Sequence, residues 1–295
     1  MIDTMREQHP DFTVKELCEA AGVSASSYYA SKTSSEGPRA RENQLILKQI
    51  QQIHSHRHTG CYGSPRMTVE LKAKGLSCSE NRVARLMRDN GIRVTESAAF
   101  RPKTTTPEKG ARVAPNLLKK ADPPTGPGQV FVSDITYVAT REGWLYLAVV
   151  IDLYSRLVAG WHLCDHMATG IVTTALMKAS RRIPSVPGAI FHSDRGCQYT
   201  SAEMATALSR LGMVPSMSAK GYCYDNAKSE SFFASIKREA FPDNCYFHSK
   251  AEARLAIFDY LETFYNRRRR HSSLEYLSPE EFLERNFQNQ QAHLN

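Results

Sequence analysis

Three carboxylates stand where a carboxylate is out of keeping with its neighbours. Asp134 interrupts the β-branched, aromatic run "QVFVSDITYVAT", although Asp is disfavoured inside strands. Asp194 ends the apolar run "GAIFHSD", which then hands over to Arg195-Gly196. Glu230 falls in the first turns of a helix opened by Asp225-Asn226. The first two acids are 60 positions apart, and 35 residues separate the last two. Two Asp delivered by strands and a Glu delivered by a helix offer the hard oxygen donors that Mg²⁺ prefers. Three acids alone are a weak signal, so its weight depends on the elements that position them.

Those elements read as an α/β unit. "QVFVSDITYVAT", "GWLYLAVVIDLYS" and "RLVAGWHLC" predict three antiparallel strands separated by turn signals. "GIVTTALMKASRR" is an amphipathic helix, "GAIFHSD" a fourth strand, "SAEMATALSRLG" a helix and "MVPSMSA" a fifth short strand. "DNAKSESFFASIKREAF" is a helix stopped by Pro242, and "KAEARLAIFDYLETFYNRRRR" a long one. The order βββαβαβαα predicts a mixed five-stranded sheet with helices on its faces. On the helix carrying Glu230, Asn226 and Lys237 share its face, so Lys237 is a candidate for DNA phosphate. The run Arg267, Arg268, Arg269 and Arg270 follows a helix whose apolar face is Leu255, Phe258, Leu261 and Phe264/Tyr265. Its density suits phosphate, although cations at a helix end also complement the dipole.

The first part of the chain is different. Thr13 and Glu16 form a capping box, Gly22 can end that helix, and Ser24 can cap the next, as in a helix-turn-helix. The pattern recurs: Ser64-Pro65 starts a helix with Met67 and Leu71 inside, and Ser79 caps a helix over 80–90. Val83, Leu86 and Met87 line its apolar side, leaving Arg82, Arg85 and Arg88 outward, as a major-groove helix requires. Residues 101–127 hold six prolines and six Lys or Arg, an extended basic linker. The expected division is 1–35 helix-turn-helix-like, 36–98 helical and DNA-binding, 99–128 linker and 129–295 the α/β core.

Charge supports that division. The net charge is +8, of which residues 1–128 carry +7 and residues 129–295 carry +1. A basic front half beside a neutral second half points to nucleic acid in front and another task behind. Seven scattered cysteines, never spaced as CxxC, argue for reduced thiols, a cytosolic protein and no zinc site. No apolar run approaches the ~18 residues of a membrane helix, and no signal peptide opens the chain.

Other constellations carry less. His192, Ser193 and Asp194 look like a nucleophilic triad, but successive strand residues point to opposite faces, so Ser193 cannot join the others. His192 shares the face of Asp194 and either borders the site or packs. Asp152 and Asp225 read as turn and cap residues, Cys197 and Cys223 as packing residues, and "HSHRHTGC" as a helix end rather than a metal site.

"SDITYV", "VIDLYSRLVAGW", "HSDRGCQYTS", "DNAKSESFFASIKRE" and "YNRRRRHSSLEYLSPEEF" resemble the catalytic core of DDE transposases and retroviral-type integrases, which has a ribonuclease-H-like fold. "YGSPRM" and "SENRVARLMRDNGI" resemble the DNA-binding segment of the IS-three insertion-sequence family, second-frame type. The resemblance implies a DNA transposase with two Mg²⁺ ions, for which Mn²⁺ can substitute. Asp134 would bridge both ions, Asp194 would hold one and Glu230 the other, with Arg195 and Asn226 beside the DNA. It also implies homo-oligomers on double-stranded element ends and target DNA, in a bacterial, nucleoid-associated setting. An upstream-frame protein with a helix-turn-helix and a leucine zipper would serve as partner or fusion. The same-fold alternative is a nuclease that cuts without joining; a silent DNA-binding regulator is another.

Overall fold

Side-chain alternation organises the sheet. In the computed structural model, which describes residues 1–33, 37–94, 113–119, 121–168, 170–218, 227–242 and 246–292, β1 (Val130–Thr140), β2 (Gly143–Asp152) and β3 (Val158–Cys164) form an antiparallel meander. β4 (Ile190–Ser193) joins the other side of β1 in parallel, and β5 (Val214–Met217) joins β4 in parallel. The order is β3-β2-β1-β4-β5. A sixth strand, β6 (Tyr246–Phe247), pairs with the far end of β1. Its two residues are too few to show a periodicity, so the sequence reading has five strands.

Odd-numbered β1 residues such as Phe131 pack with α7 (Gly170–Arg182), α8 (Cys197–Thr200) and α9 (Ala202–Arg210). Gly160 in β3 lets α7 lie close: a Cβ there would sit 2.2 Å from the Ala175 carbonyl oxygen. Even-numbered residues, Val132 and Val138, face α10 (Ala227–Glu239) and α11 (Lys250–Phe258). The long helix expected through the arginines instead changes winding at Asp259, continuing as a π-helical segment (Asp259–Tyr265). Its buried side is Tyr260, Leu261, Phe264 and Tyr265.

The helices ahead of the sheet fall into two groups. α1 (Ile2–Gln8), α2 (Val14–Ala20) and α3 (Ala25–Thr33) close a small core of Ile2, Leu17, Cys18 and Tyr28. The Thr13–Glu16 capping box is formed, and Ser24 Oγ accepts the Ser27 N–H. α4 (Pro38–Ser55), α5 (Ser64–Ala73) and α6 (Glu80–Asp89) bury Ile46, Ile50, Met67, Leu71 and Val83. Gly63 rather than Ser64 is the N-cap of α5, while Ser79 caps α6 as expected.

This second trio shares one continuous apolar core with α10, α11 and the π-helical segment. Each large side chain buried there contributes about 1.5–3 kcal/mol. Polar contacts lock the same seam. Arg270 Nε lies 2.8 Å from Glu70 Oε1, Arg57 Nη2 donates to the Ala240 carbonyl, and His58 lies between the Glu239 carbonyl and Asp259 Oδ2. Residues 113–119 run along β5: Leu117 N–H donates to Ser216 Oγ and Met217 N–H to the Pro115 carbonyl. No helix among the described residues is long and apolar enough to cross a membrane.

Candidate active site

β1 and β4 run in step, Val130 opposite Ile190 and Val132 opposite His192. Two residues further along the chain stand Asp134, inside β1, and Asp194, just past the end of β4, both half-buried. The two-residue strand period puts Asp134 on the face of Val132, which is the face covered by α10. Asp134 Oδ1 accepts the Ile135 N–H at 2.7 Å, and Asp194 Oδ1 accepts the Gly196 N–H at 2.9 Å.

Tyr199 lies behind the pair. Its ring fills the core on the opposite face, and its hydroxyl is 2.9 Å from Ser133 Oγ. Burial pushes that phenol well above its ordinary pKa, and the charges of Asp134 and Asp194 push it further. One buried hydroxyl therefore feels the charge of both carboxylates. Gly196 completes the cradle: a Cβ there would meet Asp194 Oδ1 at 3.1 Å and Gln198 Oε1 at 3.2 Å. Neither Tyr199 nor Gly196 was singled out in the sequence for this role. The close "HSDRGCQY" spacing is the signal that could have found them.

The third acid belongs to α10. Phe232, Phe233 and Ile236 bury this helix against the face that carries Val132 and Val138. Position 230 lies in its first turn; the Glu230 side chain, Asn226 and Asp225 lie outside the described residues. No group of three or more metal-ligating side chains gathers among the described residues. Asp134 and Asp194, two half-buried carboxylates, offer the donor type that a hard divalent cation takes.

Several rival assignments are settled by contacts. Ser193 Oγ donates to the Asp194 carbonyl and His192 Nδ1 lies 2.9 Å from Ser216 Oγ, so no nucleophilic serine is assembled. Asp152 is fully buried and accepts the Gly128 N–H, the Ser155 N–H and the Ser155 hydroxyl, a turn-forming role. Cys197 is exposed, which corrects its reading as a packing residue; Cys223 lies outside the described residues.

The basic candidates divide. Arg85 and Arg88 are exposed on α6. Arg82 is not turned outward: its guanidinium donates to Asn43 Oδ1 and Glu42 Oε2, tying α6 to α4. Arg195 is half-buried and donates to the Ser218 carbonyl, and Lys237 is half-buried on α10. In the arginine run, Arg267 and Arg268 are exposed. Arg269 is overturned as a phosphate contact: it is 3% exposed and grips both oxygens of Glu239, at 2.6 and 2.7 Å. Burial alone would raise the Glu239 pKa; the Arg269 hydrogen bonds and charge outweigh it and hold Glu239 below the usual carboxylate range. Arg270 is likewise committed, to Glu70 and Glu281. The helical period offered the warning. Arg269 follows the buried Tyr265 by one turn, so it inherits the inward face.

The comparisons agree with this geometry. Residues 124–223 and 211–279 match integrase core domain models, and residues 40–96 match an HTH-like domain. The solved catalytic core of BIV integrase aligns at a TM-score of 0.38 and 14% identity, covering 55% of this chain and 98% of that one. The mixed sheet with its flanking helices lies within the residues matched by the integrase core domain models, and its strand order is that of a ribonuclease-H-like fold. Transposase InsF for insertion sequence IS3A of Escherichia coli (strain K12) is 39% identical over 291 residues, 95% of this chain and 97% of that protein. The transposase for insertion sequence element IS904 of Lactococcus lactis is 38% identical over 242 residues, 82% and 94% of the two chains. The chain belongs to the IS3 family of insertion-sequence transposases.

Proposed function

We propose that the chain is a DNA transposase that cuts at the ends of its element and joins the exposed 3′-hydroxyls to target DNA by transesterification. The observation that supports this best is the parallel register of β1 and β4, which pairs Val132 with His192 two residues before Asp134 and Asp194, on a sheet whose Val132 face packs against α10. Asp134, Asp194 and Glu230 would hold two Mg²⁺ ions, with Mn²⁺ able to replace them. When bound, such ions polarise a scissile phosphodiester and activate the attacking hydroxyl. The chain's part is to supply the negative charge, to hold Asp194 through the Gly196 amide and to keep both acids in register. In joining, the 3′-hydroxyl oxygen forms the new bond to phosphorus as the target's 3′-oxygen leaves, so no covalent enzyme–DNA intermediate is expected.

Arg85, Arg88, Arg195, Lys237, Arg267 and Arg268 remain the residues for DNA phosphate or base edges. The partners would be duplex element ends and target DNA, with at least two protomers per joined pair of ends and an upstream-frame protein as partner or fusion. The setting would be the bacterial cytoplasm. We also keep the division at 35/36, 98/99 and 128/129 as a proposal. The test is incubation of labelled element ends with the protein and Mg²⁺. Joined products support transposition, and hydrolysed ends alone would leave a nuclease.

A further inference from the structure

A groove of about 270 Å³ opens on the seam between the α4–α6 domain and the core. Its floor includes Ile53 and Phe264; its rim carries Lys74 at the end of α5 and Arg268 just after the π-helical segment. The one carboxylate in its lining, Glu70, is already engaged by Arg270. Arg267 pairs with Glu280, while Arg269 and Arg270 have their own partners. Among the described residues neither Lys74 nor Arg268 has a carboxylate within ion-pair distance. Two cations from different domains thus face one groove whose only acid is neutralised.

We propose that this groove is a phosphate-binding site for the backbone of duplex DNA, clamped by Lys74 from one side and Arg268 from the other. This rests on the reading of the chain as a DNA transposase. A guanidinium offers forked donors to phosphate oxygens and an ammonium offers a point charge, so the two together suit one phosphodiester. Like charges facing one space are stabilised when an anion sits between them. The site makes DNA contact a property of the docked pair of domains rather than of α6 alone.

The test uses the full chain, with K74A, R268A, the double variant and R268K. Affinity for an element end and for an unrelated duplex is measured by fluorescence anisotropy across a salt series. Each single alanine variant should weaken both duplexes alike, by about threefold or more. The double should flatten the log–log salt slope by about 0.9, one phosphate's worth, while R268K keeps the wild-type slope. Both side chains are exposed, so melting temperatures should not move. A double variant with wild-type affinity and slope overturns the groove. So does a loss of affinity that tracks a loss of melting temperature and is not restored in R268K. If the wild-type protein joins ends while the double binds as wild type, only the groove fails. A wild-type protein that neither binds nor joins overturns the transposase reading as well.

Discussion

Asp134, inside β1, and Asp194, just past the end of β4, are half-buried, whereas Glu239 is fully buried under Arg269, Tyr260 and the seam. Both place carboxylate charge inside the fold, yet they are built for opposite ends. The first concentrates negative charge that a ligand is expected to neutralise. The second is neutralised within the fold, by a guanidinium that it also orients. The difference teaches that exposure and partner, not residue type, separate chemistry from architecture in this chain.

Substitutions at the two clusters should therefore fail in different assays. The largest effect is expected at the three candidate acids. D134N, D194N or E230Q should each leave less than a tenth of cutting and joining, while DNA affinity stays within about threefold, ~0.65 kcal/mol. Melting temperature should hold or rise, because like charges are being removed. A variant with most of its activity would break the contrast at once. At the seam, E239A should strand a buried guanidinium and cost about 3–5 kcal/mol of stability. That corresponds to a melting temperature lower by roughly 10 °C. If E239A melts as wild type, the seam is looser than its hydrogen bonds imply.

The seam should also respond to acid. Burial, then the neighbouring Arg269 charge, lowers the pKa of His271 to about 2. In the unfolded chain it takes a proton near ~6.5. Its folded pKa is the lower, so stability is intact above ~6.5 and falls by about 1.4 kcal/mol per pH unit below it. Thermal melts between pH 7 and pH 5 should show this decline, and H271N should shallow it. The smallest effect is expected behind the acids. Y199F removes one hydroxyl bonded to Ser133, worth about 1 kcal/mol, and leaves the ring in place. A rise in the Mg²⁺ concentration needed for half-maximal joining, with DNA affinity unchanged, would show that the hydroxyl also positions the carboxylates.

The strand pattern was legible because alternation and turn residues are local, and an acid inside "FVSDITYV" conflicts visibly with its setting. Asp134 and Asp194 could thus be singled out from the sequence as candidates. The docking of α4–α6 was not legible, because Met67, Leu71 and Val83 describe an apolar stripe without saying what covers it. The arginine run misled for a related reason. Four identical side chains carry no periodicity of their own, and their fates follow from Tyr265 and from Glu239, Glu70 and Glu281 on other elements. Arg82 shows the same blindness, its partners Glu42 and Asn43 lying about 40 positions earlier.

The strip at 113–119 has a consequence for handling the protein. β5 is the last strand in the sheet order, and Pro115 and Leu117 occupy hydrogen-bonding groups along it. A fragment beginning at residue 129 would bare that edge, with Val214 already 42% exposed beside it. Bare edges recruit other strands, so such a fragment should self-associate and precipitate, and one beginning at 113 should stay dispersed. The basic segment before the core is therefore also a solubility device, a selvedge that keeps the sheet from fraying into its neighbours.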